Sequence, residues 1–221
     1  MYQPINIKRS TKYGNNYWEA HSPKLNRNVR LFSDLEYDHW ILIETDPKVK
    51  SFCEQPLCIE YILDGKLISS IIDMWVLYTD NTEHFIEVKY SSELNINNPK
   101  SCRSISQTSV QRLWCEKNNF RYVIKTEKDI RSNEIYIENM RTMLPYLRTI
   151  NQPIETDRAR ILKIIQNSRV TIAEIESSLL DIPVDRIREA IYHLIYKGIV
   201  ITNLDKIPLS NKMEVWINGG E

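Results

Sequence analysis

Three ionisable residues stand in an otherwise apolar part of this 221-residue chain: Asp73, Glu87 and Lys89. Around them run Ile71-Ile72-Asp73-Met74-Trp75-Val76-Leu77-Tyr78 and, after Thr79-Asp80-Asn81-Thr82, Glu83-His84-Phe85-Ile86-Glu87-Val88-Lys89-Tyr90. Charges among core residues are costly unless they are paired or bound to a metal. Two carboxylates can hold a hard divalent cation, Mg²⁺ with Mn²⁺ as a substitute. Such an ion neutralises charge on a phosphodiester and generates hydroxide near neutral pH. A lysine one strand step beyond Glu87 suits the anion that forms during hydrolysis. The alternative is an ion pair among the three side chains across two strands on a solvated sheet face.

The elements that must position these groups are legible from pattern. Two apolar segments around a turn-rich tetrapeptide predict an antiparallel hairpin with Asp73 inside the first strand. Strand alternation then puts Glu87 and Lys89 on one side and Val88 on the other. Upstream, Val29–Phe32 reads as a short strand. Ser33-Asp34-Leu35-Glu36, ahead of Trp40-Ile41-Leu42-Ile43, is a capping-box start to a helix that ends before Pro47. Glu36 has two readings, a helix cap or a third carboxylate reaching the Asp73 and Glu87 pair. Cys58–Leu63 is a strand, Asp64-Gly65 a tight turn, and Lys66–Ile72 carries the sheet into the central hairpin. A polar loop follows Tyr90, then a helix over 104–118, a strand over 121–126 and a helix over 134–148. Gln107 and Gln111 are polar residues on the helix after the hairpin to which the sequence assigns no role.

Lys plus Arg equals Asp plus Glu at 29 each, so net charge identifies no partner. Residues 1–30 hold Lys8, Arg9, Lys12, Lys24, Arg27 and Arg30 against Glu19 alone, a basic N-terminal arm suited to phosphates or simply solvated. Cys53, Cys58, Cys102 and Cys115 have no zinc-site spacing and read as reduced thiols. No apolar run suits a membrane span or secretory signal, so the expectation is a cytoplasmic protein without a membrane partner.

Beyond a linker near Asn151–Thr156 the pattern changes. Ile161, Leu162, Ile164 and Ile165 mark a helix, Thr171 caps a second, and 185–197 is a third that stops at Gly198. Two short strands, 199–202 and 213–217, complete a winged-helix arrangement. Domains are therefore expected at 1–150 and 151–221. The third helix mixes signs (Asp185, Arg186, Arg188, Glu189, His193, Lys197), and 151–221 holds nine basic and ten acidic residues. That balance favours a protein-interaction module over a DNA reader, with His193 as a surface residue.

Taken in order, Leu31-Phe32-Ser33-Asp34-Leu35-Glu36, Val49-Lys50-Ser51-Phe52-Cys53-Glu54-Gln55-Pro56, Asp73 and Ile86-Glu87-Val88-Lys89 resemble TnsA, the endonuclease subunit of Tn7-like heteromeric transposases. The resemblance spans about 28–127. The family often has a proline ahead of the aspartate where this chain has Ile72. The likeness implies an α/β fold with a restriction-endonuclease-like mixed sheet flanked by helices, followed by the winged-helix domain. It implies a Mg²⁺-dependent enzyme that hydrolyses DNA at the transposon 5′ ends, with Glu36, Asp73, Glu87 and Lys89 catalytic and the three carboxylates as metal ligands. The implied partners are transposon-end DNA, a TnsB-like transposase subunit for the 3′ ends, and a TnsC-like ATPase engaged by the C-terminal domain. Two other functions remain open: a stand-alone restriction or junction-resolving nuclease, and a non-catalytic adaptor on a nuclease-like fold.

Overall fold

The computed structural model describes residues 2–7, 16–147, 154–166 and 168–217. They divide into two compact units, one drawn from 1–44 and 48–132, the other from 45–47 and 133–221.

In the first unit, β1 (Trp18–Ser22) and β2 (Arg27–Leu31) form an antiparallel hairpin that leads into α1 (Asp34–Thr45). Much of the expected basic arm is thus folded. Val29 and Leu31 are fully buried, and Tyr2 packs edge-on against Trp75 and Phe85 at 5.1 and 5.6 Å between ring centroids. Lys8, Arg9 and Lys12 lie outside the described residues.

The central sheet is mixed, in the order β3 (Val49–Glu54), β6 (Met74–Tyr78), β7 (Glu83–Val88), β8 (Arg121–Lys125). The first three strands are antiparallel neighbours and β8 runs parallel to β7. A parallel neighbour requires a crossover, and α2 (Cys102–Lys117) supplies it. The expected hairpin forms between β6 and β7. Asn81 takes φ 50–70° space at 64°, and the Asp80 carboxylate accepts from the Thr82 N–H and hydroxyl at 2.9 and 2.7 Å. Those contacts hold the turn by side chain as well as backbone.

The structure differs from the sequence expectation between β4 (Cys58–Leu63) and β5 (Lys66–Ile71). Among the described residues these strands pair only with each other, as a separate two-stranded sheet turning at Asp64 and Gly65, with φ of 50° and 74°. Left-handed values at both turn residues match the twist of a tight hairpin and explain the Asp-Gly pair. The chain then bends at Ile72-Asp73, outside any strand, before β6 begins. Period-2 alternation cannot reveal such a bend, because both flanks remain extended.

Helices cover the sheet. Against α2, Phe85, Trp75 and Cys53 join Val110 and Cys115 in one apolar cluster that extends to Ile59 and Ile72. On α1, Leu35 packs with Val88, Ile130 and Leu42 in another. The short α3 (Glu127–Ile130) contributes Ile130. This mixed sheet flanked by helices is the restriction-endonuclease-like arrangement.

The second unit contains α4 (Glu134–Leu147), α5 (Glu155–Ile165), β9 (Val170–Thr171), α6 (Ile172–Ser178), α7 (Val184–Tyr196), β10 (Val200–Thr202) and β11 (Glu214–Ile217). Its start differs from the expected 150/151 boundary, since α4 belongs with the C-terminal elements. The buried Asn139 amide explains why: Nδ2 donates to the carbonyls of Leu204 and Ile207 at 2.8 and 2.7 Å, and Oδ1 accepts from the Leu209 N–H at 2.7 Å. Of the expected linker, 151–153 lie outside the described residues, and Glu155 and Thr156 already belong to α5. Thr171 caps α6 as expected, its hydroxyl accepting from the Glu174 N–H at 3.2 Å. Gly198 ends α7 at φ +70°, and β10 and β11 pair. The two-residue β9 adds a third strand to the expected ribbon. Two residues are too few to carry a periodic signal.

Among the described residues no helix is long and apolar enough to cross a membrane. All four cysteines are free thiols.

The β1–β2 hairpin is fastened to the sheet by a bidentate pair, Arg27 Nη1 and Nη2 each 2.6 Å from a Glu54 carboxylate oxygen, with Glu54 2 % exposed. Removing one partner of a buried pair leaves an uncompensated charge. Arg27→Ala should therefore lower unfolding stability in urea by about 3 kcal/mol; an unchanged midpoint would mean that Glu54 is adequately solvated without it.

Candidate active site

β7 is a central strand covered on both faces, and its buried part, Phe85–Val88, reads as an apolar run interrupted by one charge, Glu87. Alternation turns Phe85 and Glu87 towards α2 and Val88 towards α1. Glu87 is 0 % exposed. The alternative reading of the sequence, an ion pair on a solvated face, keeps its ion pair but not its solvated face. Lys89 does share Glu87's side, with Nζ 2.8 Å from Oε1 and 15 % exposure.

Asp73 occupies the bend rather than the interior of a strand. Its position is set by the Glu54-Gln55-Pro56 segment: the Gln55 N–H donates to the Asp73 carbonyl at 2.9 Å, and the Ile72 N–H donates to the Leu57 carbonyl at 3.3 Å. Gln55 adopts φ +40°, a strained value for a non-glycine residue. The bend aims Asp73 at the end of β7. Oδ2 accepts from the Val88 N–H at 2.8 Å, while Asp73's own N–H donates to Glu87 Oε2 at 3.3 Å.

Glu36 performs the capping role in full. Its N–H donates to Ser33 Oγ at 3.1 Å, and its carboxylate accepts from the Ser33 hydroxyl and the Phe32 N–H, both at 3.1 Å. The same carboxylate lies within electrostatic reach of Asp73 and Lys89. One side chain thus caps α1 and adds negative charge to the site from the α1 side.

Gln107 and Gln111 were not assigned to this site by sequence. Gln107 Nε2 donates to Glu87 Oε1 at 2.9 Å, and Gln111 Nε2 to Glu87 Oε2 at 2.8 Å. Gln111 is fully buried; it also reaches Ser70 Oγ at 2.9 Å and the Ile71 carbonyl at 3.2 Å, and its Oε1 accepts from the Tyr122 hydroxyl at 2.6 Å. Their spacing, four apart on one helix, is the signal that they share a face. Nothing in the sequence marks Tyr122 as the group that orients Gln111. Each Glu87 oxygen therefore already meets two donors, so binding an ion through Glu87 requires Lys89 or Gln107 to let go.

Three carboxylates face one ammonium here. Burial, then the Asp73 charge, pushes Glu87 up to about 8, against the pull of Lys89 and Gln111. Burial and Asp73 likewise push Glu36 up to about 7. Burial raises Asp73 too, offset in part by Lys89 and the Val88 N–H. For Lys89, burial favours the neutral form but is outweighed by Asp73 and Glu87, which hold it above the ordinary lysine range.

This all-oxygen donor set under excess negative charge fits a hard divalent cation and offers nothing to a soft one. Among the described residues no three His, Cys, Asp or Glu side chains are placed to hold one ion together. Mg²⁺ commonly takes one or two carboxylates, several waters and a substrate phosphate. Asp73 and Glu87 are the pair available.

Residues 46–127 match the family model of the TnsA-like endonuclease N-terminal domain. This stretch of the chain is TnsA-like. The TnsA-like segment contains Asp73, Glu87, Lys89, Gln107, Gln111 and Tyr122, whereas Glu36 lies ahead of it. No curated protein matches the chain significantly.

The raised carboxylates of this site carry a sign. Where folded pKa exceeds unfolded pKa, the folded state keeps protons the unfolded state has lost, so stability falls as pH rises from the unfolded value through the folded one. For Glu87 and Glu36 that window runs from 4.5 to about 8 and about 7. Buried His39, lowered by burial to about 4, acts oppositely, losing stability as pH falls from 6.5. Above pH 6.5 the carboxylates dominate this comparison. With chelator present, the wild-type melting temperature should fall between pH 6.5 and 8.5 more steeply than that of Glu87→Gln. Parallel profiles would show that Glu87 is ionised throughout.

Proposed function

We propose that the chain is the Mg²⁺-dependent endonuclease subunit of a Tn7-like transposase, hydrolysing DNA strands at the transposon 5′ ends. The observation that carries this reading is the meeting of Asp73, Glu87 and Lys89 at one end of β7, inside the segment that matches the TnsA-like endonuclease domain. Bound between Asp73 and Glu87, Mg²⁺ would supply charge neutralisation at the phosphodiester and a nucleophilic hydroxide.

The chain's own residues divide the remaining work. Asp73 and Glu87 present carboxylate oxygens, and Glu36 adds negative charge from α1. Gln107 and Gln111 fix the rotamer of Glu87 by gripping one oxygen each. Lys89, once released from Glu87, has an ammonium free to stabilise negative charge on a phosphate oxygen. Its raised pKa keeps it cationic across the working range.

The C-terminal unit is read as a winged-helix module that docks protein, a TnsC-like ATPase, while a TnsB-like subunit cuts the 3′ ends. Helix order and the small antiparallel sheet support the module. Charge pairing supports the kind of partner. On α7, Arg186 is tied to Asp157 at 2.5 Å and Arg188 to Glu176 at 2.8 Å. His193 is half-buried rather than a surface group. A helix whose arginines are already neutralised is poorly equipped to attract phosphates.

The test is cutting of a plasmid carrying transposon ends by the complete transposase with Mg²⁺. Asp73→Ala and Glu87→Gln should each lower 5′-end cutting by at least about 100-fold, and Lys89→Ala by about the same factor, with 3′-end cutting retained. Nicking of plain plasmid by the isolated chain would favour an autonomous nuclease, and full 5′ cutting by Asp73→Ala would leave only an adaptor.

A further inference from the structure

A cleft lined by both polar and apolar side chains adjoins the carboxylate site. It has a volume of about 480 Å³ and lies between the β4–β5 sheet and the start of α2. Ser69, Ser70 and Ile71 form one wall, and Arg103, Ser106 and Gln107 the other. Among the described residues Arg103 is the only charged one in the lining, and it is exposed and forms no ion pair there. Glu60 pairs with Ser69 across the two strands but does not line the cleft.

Gln107 belongs to both places. It lines this cleft and donates from Nε2 to Glu87 Oε1 at 2.9 Å. Ser70 also joins them, through Gln111, which bonds Ser70 Oγ and Glu87 Oε2. A group held here would therefore stand beside the reacting position. On the cleft's outer side, Ser69 Oγ is 3.1 Å from Cys58 Sγ, a weak partner that leaves the hydroxyl available to a stronger acceptor.

We propose that this cleft is a phosphate subsite for the DNA backbone, holding a phosphodiester that flanks the one being cut. Arg103 supplies the positive charge and a forked donor, and the Ser69 and Ser106 hydroxyls donate alongside it. Ile68 and Ile71 provide apolar surface for the sugar. One unpaired guanidinium with no opposing acid in the lining is complementary to one phosphate charge. The assignment of the neighbouring phosphate as the reacting one rests on the nuclease reading; the binding of backbone phosphate does not.

The experiment is an amide and arginine side-chain NMR titration of the full chain, without divalent cation, using a 12-base-pair duplex and, separately, inorganic phosphate at matched ionic strength. The duplex should shift resonances at Ser69–Ile71 and Arg103–Gln107. Arg103→Ala should weaken duplex binding several-fold and reduce the slope of log K against log salt by about 0.9, the loss of one phosphate contact. Arg103→Lys, which keeps the charge, should retain the slope. Duplex shifts confined to other surfaces, an Arg103→Ala slope equal to wild type, or a response to inorganic phosphate alone would each overturn the subsite. The two readings fail separately. Cutting that survives Glu87→Gln sinks the nuclease account and leaves this cleft standing, whereas cutting that needs Glu87 with no Arg103 effect on binding removes the cleft alone.

Discussion

A fully buried carboxylate surrounded by donors is the constraint on which this structure turns. Glu87 sits in an inner strand of a sheet covered on both faces, where an ionised acid without partners would cost several kcal/mol. It is retained because Lys89, Gln107, Gln111 and the Asp73 N–H all converge on its two oxygens. That requirement fixes the neighbours in turn. α2 must lie with its glutamine face over β7, the chain must bend at Asp73, and Tyr122 must point at Gln111.

The bend matters because sheet alternation works against a compact site. Glu87 belongs to the α2 side of the sheet and Glu36 arrives from α1 on the opposite side. They can influence one ion or phosphate only where the sheet ends. Asp73 is placed there by leaving the strand, with its backbone fastened to Gln55 and its carboxylate to the Val88 N–H. The left-handed Gln55 is the local cost of that turn. Asp73 thus links the charges from the two faces, and it is the group that raises both Glu36 and Glu87 after burial.

Much of this was legible from residues. Glu-x-Lys on an apolar strand correctly placed two side chains on one side, and Ser33-Asp34-Leu35-Glu36 correctly gave the start of α1. The pattern marks Asp73 but places it inside a strand, because extended residues before and after a bend look alike in one dimension. The 150/151 boundary followed composition, whereas the division depends on Asn139 bonding to main chain some 65 to 70 residues later. The N-terminal arm was read from its charge, and pairing of β1 with β2 leaves no charge signature. Gln107 and Gln111 were visible as a pair, but their target was not, since only the crossover brings α2 over Glu87.

The second unit follows a different electrostatic rule. On α7 the arginines are paired with internal acids, Arg186 with Asp157 and Arg188 with Glu176. In the first unit, by contrast, the buried cluster at the end of β7 carries a negative excess. The central claim is that this cluster takes a hard cation at the Asp73 and Glu87 corner. Anomalous diffraction from Mn²⁺-soaked crystals tests it most directly. A peak within bonding distance of both carboxylates, with Lys89 Nζ moved off Glu87, is the predicted result; Lys89 still seated on Glu87 at saturating Mn²⁺, with no peak at Asp73, would contradict it.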